Sequence, residues 1–452
     1  MTTEVDVVVV GLGPGGESVA TQLAEAGLEV VGVDKHLVGG ECPYYACIPS
    51  KMIIRAADAL AEGRRVPELA GASTVTPDWS PVATRISDEA TSGWDDQIAV
   101  DRLTDAGVRF VRGHGRLDGA RTVVVGDETY VARKGVVLNT GTDPAVPPID
   151  GLDVTPFWTN RDIVKQTSLP GSLIVIGGGP VGAELAQGIS RFGTDVTVVE
   201  MAPRLLGPEE PEAGSLLGEV FAAEGIQVVS DAKISQVSYA EGRFTVTVDE
   251  QGLTADKLLV AAGRRPNLGD IGLDTVGLDP TARVIETDDH LRAGDGLWAL
   301  GDITGKGAFT HMAMYQGDVV VRDILGQDGP WAEYHAVPRV TFTDPEVGSV
   351  GMSEKQARDA GVDVRVGVTD LATSTRGWIH GEGGKGLIKL IEDADRGVLV
   401  GACVVGPYGG EVLSSLAIAV HAGVPTATLR SMIWAYPTFH RAIETAVKEL
   451  DA

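Results

Sequence analysis

Short apolar runs along this chain alternate with longer stretches in which apolar residues recur at helical spacing. The run Val7–Val10 leads into Gly11-Leu12-Gly13-Pro14-Gly15-Gly16, then a helical stretch to Gly27, then a second apolar run from Glu29 to Asp34. The same order returns later: Leu173–Ile176, Gly177-Gly178-Gly179-Pro180-Val181-Gly182, a helical stretch to Gly193, and a run from Asp195 to Glu200. One offset carries Gly11, Gly13, Pro14, Gly16, Gly27 and Asp34 onto Gly177, Gly179, Pro180, Gly182, Gly193 and Glu200. The pattern predicts two copies of strand, glycine turn, helix and second strand ending in an acid.

A lone G-x-G-x-x-G says little, but here each copy has a buried strand before it, a helix after it and an acid about 20 residues on. The first glycine allows the tight turn, the second lets backbone approach a pyrophosphate, and the third lets helix and strand pack closely. The helix N-terminus offers unpaired N–H groups to phosphates, and the acid can accept hydrogen bonds from a ribose. Two dinucleotides are expected. The runs Gly135–Gly141 and Leu258–Pro266 read as short buried strands that close the two nucleotide domains. Leu297–Asp302 reads as another strand, ending in a carboxylate suited to polyhydroxyl groups. From about Val337 the pattern changes to alternating strands with a late amphipathic helix, Glu411–Ala422, which predicts a separate α+β domain.

Composition narrows this only slightly. A chain of 452 residues exceeds one core, so two to four domains are expected. The net charge of −26 is spread along the chain and repels nucleic acid and anionic membranes, so neither is an expected partner. No apolar run reaches the roughly 20 residues of a membrane-spanning helix, and the start of the chain does not read as a signal segment, so a cytoplasmic location is expected.

Three cysteines occur, and Cys42 and Cys47 lie together in Gly39-Gly40-Glu41-Cys42-Pro43-Tyr44-Tyr45-Ala46-Cys47-Ile48-Pro49-Ser50-Lys51. Residues five apart in an ideal helix have Cα atoms roughly 8.7 Å apart. A disulfide needs less than about 7 Å. A bridge between them requires a distorted segment, and Pro43 and Pro49 both break regular helix there. Strain of that kind makes a disulfide readily reducible. Lys51 supplies a positive charge that favours a thiolate or an anionic flavin. The bland alternative is a pair of buried thiols.

With these motifs in place the chain resembles the FAD-dependent pyridine nucleotide–disulfide oxidoreductases, the group of dihydrolipoamide dehydrogenase, glutathione reductase and mercuric reductase. The resemblance covers the Gly11 motif, Cys42–Lys51, the Gly177 motif with Glu184, Ala262–Asn267, Gly301-Asp302 and Phe342–Glu346. It implies an α/β fold: an FAD-binding domain from 1–150 and 265–330, an NAD(P)-binding domain from 151–264, and a C-terminal α+β interface domain from 335–452. It further implies FAD on the first motif, with Asp34 on the ribose and Asp302 on the ribitol, and a nicotinamide nucleotide on the second. The implied cofactor contacts also take in Lys35, Gly40, Glu41, Gly115, Thr140, Gly141, Gly263, Arg264, Met312 and Ala313. Cys47 would lie over the flavin as the charge-transfer thiol, Cys42 would attack a small disulfide substrate, and Lys51 and Glu184 would pair beside the flavin. A homodimer with active sites shared between subunits is implied. Glu200 favours NADH over NADPH because a carboxylate repels a 2′-phosphate, with Arg204 as a possible counterweight.

The chain departs from the family pattern at its C-terminal end. Tyr436-Pro437-Thr438-Phe439-His440-Arg441 stands where relatives carry His-Pro-Thr-x-x-Glu, so the histidine position is Tyr436 and the glutamate position Arg441. His440 is the candidate substitute acid–base group, alongside Tyr436. No cysteine follows Cys403, which disfavours enzymes that use a second C-terminal cysteine pair, and Cys403 itself reads as core. Two rivals follow: a quinone or diaphorase-type reductase or transhydrogenase with peripheral cysteines, and a flavin-bearing subunit without catalysis of its own.

Overall fold

The structure, a computed structural model, describes residues 1–451. The chain divides into two compact units, one of 1–49, 84–145 and 264–334, the other of 50–83, 146–263 and 335–451.

The first unit is built on an eight-stranded sheet. Its main path runs Arg292–Gly294, Leu297–Ala299, Glu128–Leu138, Thr2–Val10, Val30–Asp34 and Arg109–Arg112. Thr2–Val10 pairs parallel with both neighbours, Val7 opposite Val30 and Gly135, Val10 opposite Val33 and Leu138. A central parallel strand is covered on both faces, which is why Val7 to Val10 read as an unbroken apolar run and not an alternation. On one face pack Val19, Ala20 and Leu23 of the helix Pro14–Glu25 with Val319, Val320 and Ile324 of the helix Thr310–Leu325. The other face is sealed by Leu117, Val123 and Tyr130 together with Leu268, Ile271 and Leu273.

The second unit holds a four-stranded parallel sheet in the order Gln227–Val229, Asp195–Val199, Ser172–Ile176, Lys257–Val260, with an antiparallel three-stranded sheet, Ile234–Ala240, Arg243–Val248 and Gln251–Ala255. It also holds a five-stranded antiparallel sheet, Pro338–Thr341, Glu346–Gly351, Val398–Gly406, Leu387–Asp393 and Val364–Asp370, covered by the helices Gly409–His421 and Arg441–Glu449. The late helix thus starts two residues before the sequence pattern placed it. The run read as one strand from Leu258 to Pro266 is divided: Lys257–Val260 joins the parallel sheet of the second unit, while Arg264–Pro266 pairs with Thr142–Pro144 in the first. The segment 50–83, inside the stretch 1–150 assigned to the first nucleotide domain, packs within the second unit. Among the described residues no helix is long and apolar enough to cross a membrane.

Candidate active site

Both glycine turns have the close contacts their residues imply. At Gly11, φ is +92°, and a Cβ would stand 2.3 Å from Asn139 O; at Gly16 it would stand 2.0 Å from Gly11 O. Gly177 and Gly182 repeat this at 2.4 Å from Ala261 O and 1.9 Å from Gly177 O. Any side chain at these positions collides with backbone, so the turns are tight enough to bring main-chain N–H groups forward. The helices that follow, Pro14–Glu25 and Pro180–Ser190, begin with proline after a glycine N-cap and carry no side-chain cap. Their N-terminal N–H groups are left for an anion.

The two acids end up in equivalent places. Asp34 accepts hydrogen bonds from the N–H groups of Leu12 and His36, each at 2.7 Å. Burial pushes its carboxyl above the usual range, against the pull of those two N–H groups. Glu200 accepts from Gly178 N–H and from Ala202 N–H, the latter at 2.6 Å. Arg204, the residue suggested as a counterweight, instead donates to Gly207 O and Glu209 O at 3.0 and 3.1 Å.

The cysteine segment is not one continuous helix. Glu41–Tyr44 form one helical turn, Tyr45 and Ala46 leave it, and a new helix runs Cys47–Leu69. The carbonyl of Glu41 accepts from both Tyr45 N–H and Ala46 N–H at 2.9 Å, which closes the turn just before Cys47. Cys47 Sγ lies 3.4 Å from the hydroxyl of Thr310, the first residue of the helix Thr310–Leu325. Thr310 escaped the sequence reading because only the tertiary fold brings it to Cys47.

In the first unit Asp302, on the turn Gly301–Thr304, accepts from Thr142 Oγ1 at 2.6 Å, and Thr142 in turn accepts from Arg264 Nε at 2.6 Å. Gly301 N–H donates to Gln316 Oε1 at 2.7 Å, and the Thr140–Gly141 corner is held by Asn267. Gly115 opens a strand against Val10 and Val33, Met312 and Ala313 are buried, and Lys35 is exposed.

In the second unit Lys51 Nζ donates to Glu184 Oε2 at 2.8 Å, and Glu184 Oε1 accepts from Phe342 N–H at 2.8 Å. The same helix face continues with Gln187, which exchanges two 2.8 Å hydrogen bonds with the main chain of Asp344. Arg191 follows, its side chain 3% exposed, pairing at 2.7 Å with each of Asp58, Glu224 and Asp344. Arg65 adds a second bond to Asp344 at 2.6 Å. Burial alone would raise the Asp344 carboxyl, but Arg191 and Arg65 overcome it and hold it below the usual range. For Asp58 burial wins over Arg191, with Asp344 and Glu346 adding repulsion, and its carboxyl is pushed up to about 6. Glu184, Gln187 and Arg191 are polar positions three and four apart on an otherwise apolar helix, a legible signal that this face meets polar partners.

Tyr436 is largely exposed, its hydroxyl 3.5 Å from Thr375 Oγ1, with Arg441 over its ring. His440 is the N-cap of Arg441–Glu449. His380, not singled out from sequence, packs edge-on against Phe439, and burial lowers its imidazole below the usual value. Cys403 is buried in the sheet, where burial pushes its thiol up to about 12, as fits a core residue. Gly263 adopts φ +108° with open space around its Cβ direction.

A paired-cysteine helix break, two dinucleotide turns and an added antiparallel domain define a nucleotide-dependent redox enzyme. The family description "Pyridine nucleotide-disulphide oxidoreductase" matches residues 5–317, and the dimerisation domain of that family matches residues 337–447. The chain is 32% identical to a dihydrolipoyl dehydrogenase of Geobacillus stearothermophilus, over 96% of this chain and 94% of that one. It is 31% identical to a mercuric reductase of Acidithiobacillus ferrooxidans, over 98% and 82%. Among solved structures, the HOCl-induced flavoprotein disulfide reductase RclA from Escherichia coli superposes with a TM-score of 0.86 at 25% identity, covering 98% of this chain and 99% of that one. The chain belongs to the pyridine nucleotide–disulphide oxidoreductase family, as a flavoprotein oxidoreductase with its dimerisation domain. The residues fit FAD: the Gly11–Gly16 cradle would be filled by any Cβ, and the helix behind it presents uncapped N–H groups.

Proposed function

We propose that this enzyme is an NADH-dependent reductase of a small disulfide, working through FAD and a Cys42–Cys47 redox pair. The observation that carries the reading is the cysteine segment: a helix broken between the two cysteines, with Cys47 Sγ 3.4 Å from Thr310 at a helix N-terminus. FAD, when bound, supplies hydride acceptance from the nicotinamide and delivery of an electron pair to the cysteines. Cys42 then attacks one sulfur of the substrate disulfide and releases a first thiol. Cys47 attacks Cys42 Sγ, releases the second thiol and re-forms the pair. The Thr310 hydroxyl and the helix terminus behind it favour a thiolate at Cys47. Each departing thiolate takes a proton from Tyr436 or His440, contributed by a second copy of the chain. Trp378, Ile433 and Tyr436 of the dimerisation domain are each exposed in the single chain and so are open to contact with that copy. Glu200, held by two backbone N–H groups, disfavours the 2′-phosphate of NADPH, while Arg204 is engaged by loop carbonyls.

A second reading, transfer to quinones or between nucleotides, is favoured by one observation: Tyr436 stands where the family carries its histidine. Anaerobic titration with NADH separates the two. The disulfide mechanism requires a long-wavelength charge-transfer band after two electrons that is lost in Cys47→Ser. Direct bleaching of the flavin without that band would leave the cysteines as bystanders and favour the second reading.

A further inference from the structure

Arg264 gathers parts of the first unit that lie far apart in sequence. It leads the short strand Arg264–Pro266, antiparallel to Thr142–Pro144. Its Nε–H donates to Thr142 Oγ1 and its Nη2 to Thr142 O, both at 2.6 Å. Because the Thr142 hydroxyl accepts from the guanidinium, its single proton is directed to Asp302 Oδ2 at 2.6 Å. Nη2 also stands 3.4 Å from Glu41 Oε2. One cation therefore balances two carboxylates, one directly and one through a hydroxyl.

Glu41 is more than a neighbour of Cys42. It opens the helical turn Glu41–Tyr44, and its carbonyl receives the N–H groups of Tyr45 and Ala46, the two residues before Cys47. Its backbone is seated by Gly40, φ +67°, where a Cβ would stand 3.0 Å from Gly13 Cα. Whatever fixes Glu41 fixes the residue before Cys42 and the carbonyl that closes the turn ahead of Cys47.

We propose that Arg264 is a positioning residue. It clamps Glu41, and with it the Cys42–Cys47 loop, to the Asp302 carboxylate, acting through Thr142. The Nε and Nη2 side of its fork is committed to protein atoms, so its effect on the cofactor passes through Glu41 and Asp302. A lysine cannot reproduce it, since an ammonium lacks the planar fork. The inference rests on FAD occupying the first unit.

The test uses the full-length flavoprotein with Arg264→Met, Arg264→Lys, Glu41→Gln and the Arg264→Met/Glu41→Gln double variant. Two quantities are read: the FAD dissociation constant of the deflavinated protein, and the charge-transfer absorbance at saturating FAD after two-electron reduction. Arg264→Met is expected to weaken FAD binding about ten- to a hundredfold, the scale of losing hydrogen bonds to charged groups. It is also expected to diminish the charge-transfer band, which a merely stabilising role would leave intact at saturation. Arg264→Lys should recover only part of either quantity. In the double variant the two losses should fall short of their product, because both remove the same clamp. Unchanged FAD affinity and an unchanged band in Arg264→Met, even with lowered thermal stability, would overturn the proposal, as would strictly multiplicative losses. A wild-type protein that binds no FAD would overturn the proposed function instead.

Discussion

Replacing Arg191 by methionine tests the idea that one buried guanidinium holds the Glu184 helix to the Phe342–Glu346 segment. The side chain is 3% exposed and meets Asp58, Glu224 and Asp344 at 2.7 Å each. Methionine conserves much of the apolar stem but strands the carboxylates. Breaking a buried pair by removing one partner costs about 3–5 kcal/mol, because the remaining charge keeps its desolvation penalty. Here the low end applies: Asp344 retains Arg65 at 2.6 Å, and Asp58, 38% exposed, can turn to solvent. A loss of about 3 kcal/mol corresponds to a fall of about 6–12 °C in Tm for a domain of this size. Differential scanning calorimetry at pH 7.5, at matched scan rates, reads it directly. Lowering the pH should narrow the gap between variant and wild type. In the wild type the Asp344 carboxyl is held low, so its stabilising contribution is present above the unfolded value and lost only as pH falls through the lower folded value. Without Arg191 that contribution shrinks, and the stranded carboxylates are relieved by protonation. A Tm within about 2 °C of wild type at pH 7.5 would refute the reasoning, since it would mean the cluster is solvated or carries no net coupling.

The same cluster makes a second prediction, and the cysteine site a third. Asp58 has a carboxyl pushed up to about 6, so its folded state binds a proton more tightly than the unfolded chain; the resulting stability is present below the unfolded value and lost as pH rises through about 6. Asp58→Asn should flatten that decline between about pH 4 and 6 and be neutral or stabilising at pH 7.5, by at most about 1 kcal/mol given its exposure; a steeper decline in the variant would show that its pairing with Arg191 outweighs burial. Thr310→Val, made in a Cys42→Ser background so that only Cys47 is read, removes the hydroxyl 3.4 Å from the sulfur. Iodoacetamide alkylation of the reduced protein at neutral pH should slow about two- to tenfold, the range of one modest hydrogen bond to the thiolate; an unchanged rate would make Thr310 a packing residue only.

The dinucleotide turns were legible because their function is local. Gly16 and Gly182 are required by the backbone of Gly11 and Gly177 a few residues before them, and Gly11 and Gly177 adopt positive φ, a local demand that their contacts with Asn139 and Ala261, each just past an adjoining strand, reinforce. The conflict between residue spacing and disulfide geometry was legible as well, but the break falls at Tyr45 and Ala46 and not at Pro43 or Pro49, which lie in short or first helical turns where proline is tolerated. The tyrosine at position 436 was equally plain in the sequence, as a substitution in a motif. By contrast, Thr310 beside Cys47, Arg264 bridging Thr142 and Glu41, and Arg191 among three carboxylates join residues from distant parts of the chain. Their side chains carry no periodic signature that names a partner, beyond the polar stripe Glu184, Gln187 and Arg191, which announces a polar contact without saying to what. Local sterics and backbone conformation can be read along one dimension. The pairing of buried charges and the approach of a hydroxyl to a thiol are decided only when strand order and helix packing bring remote segments together.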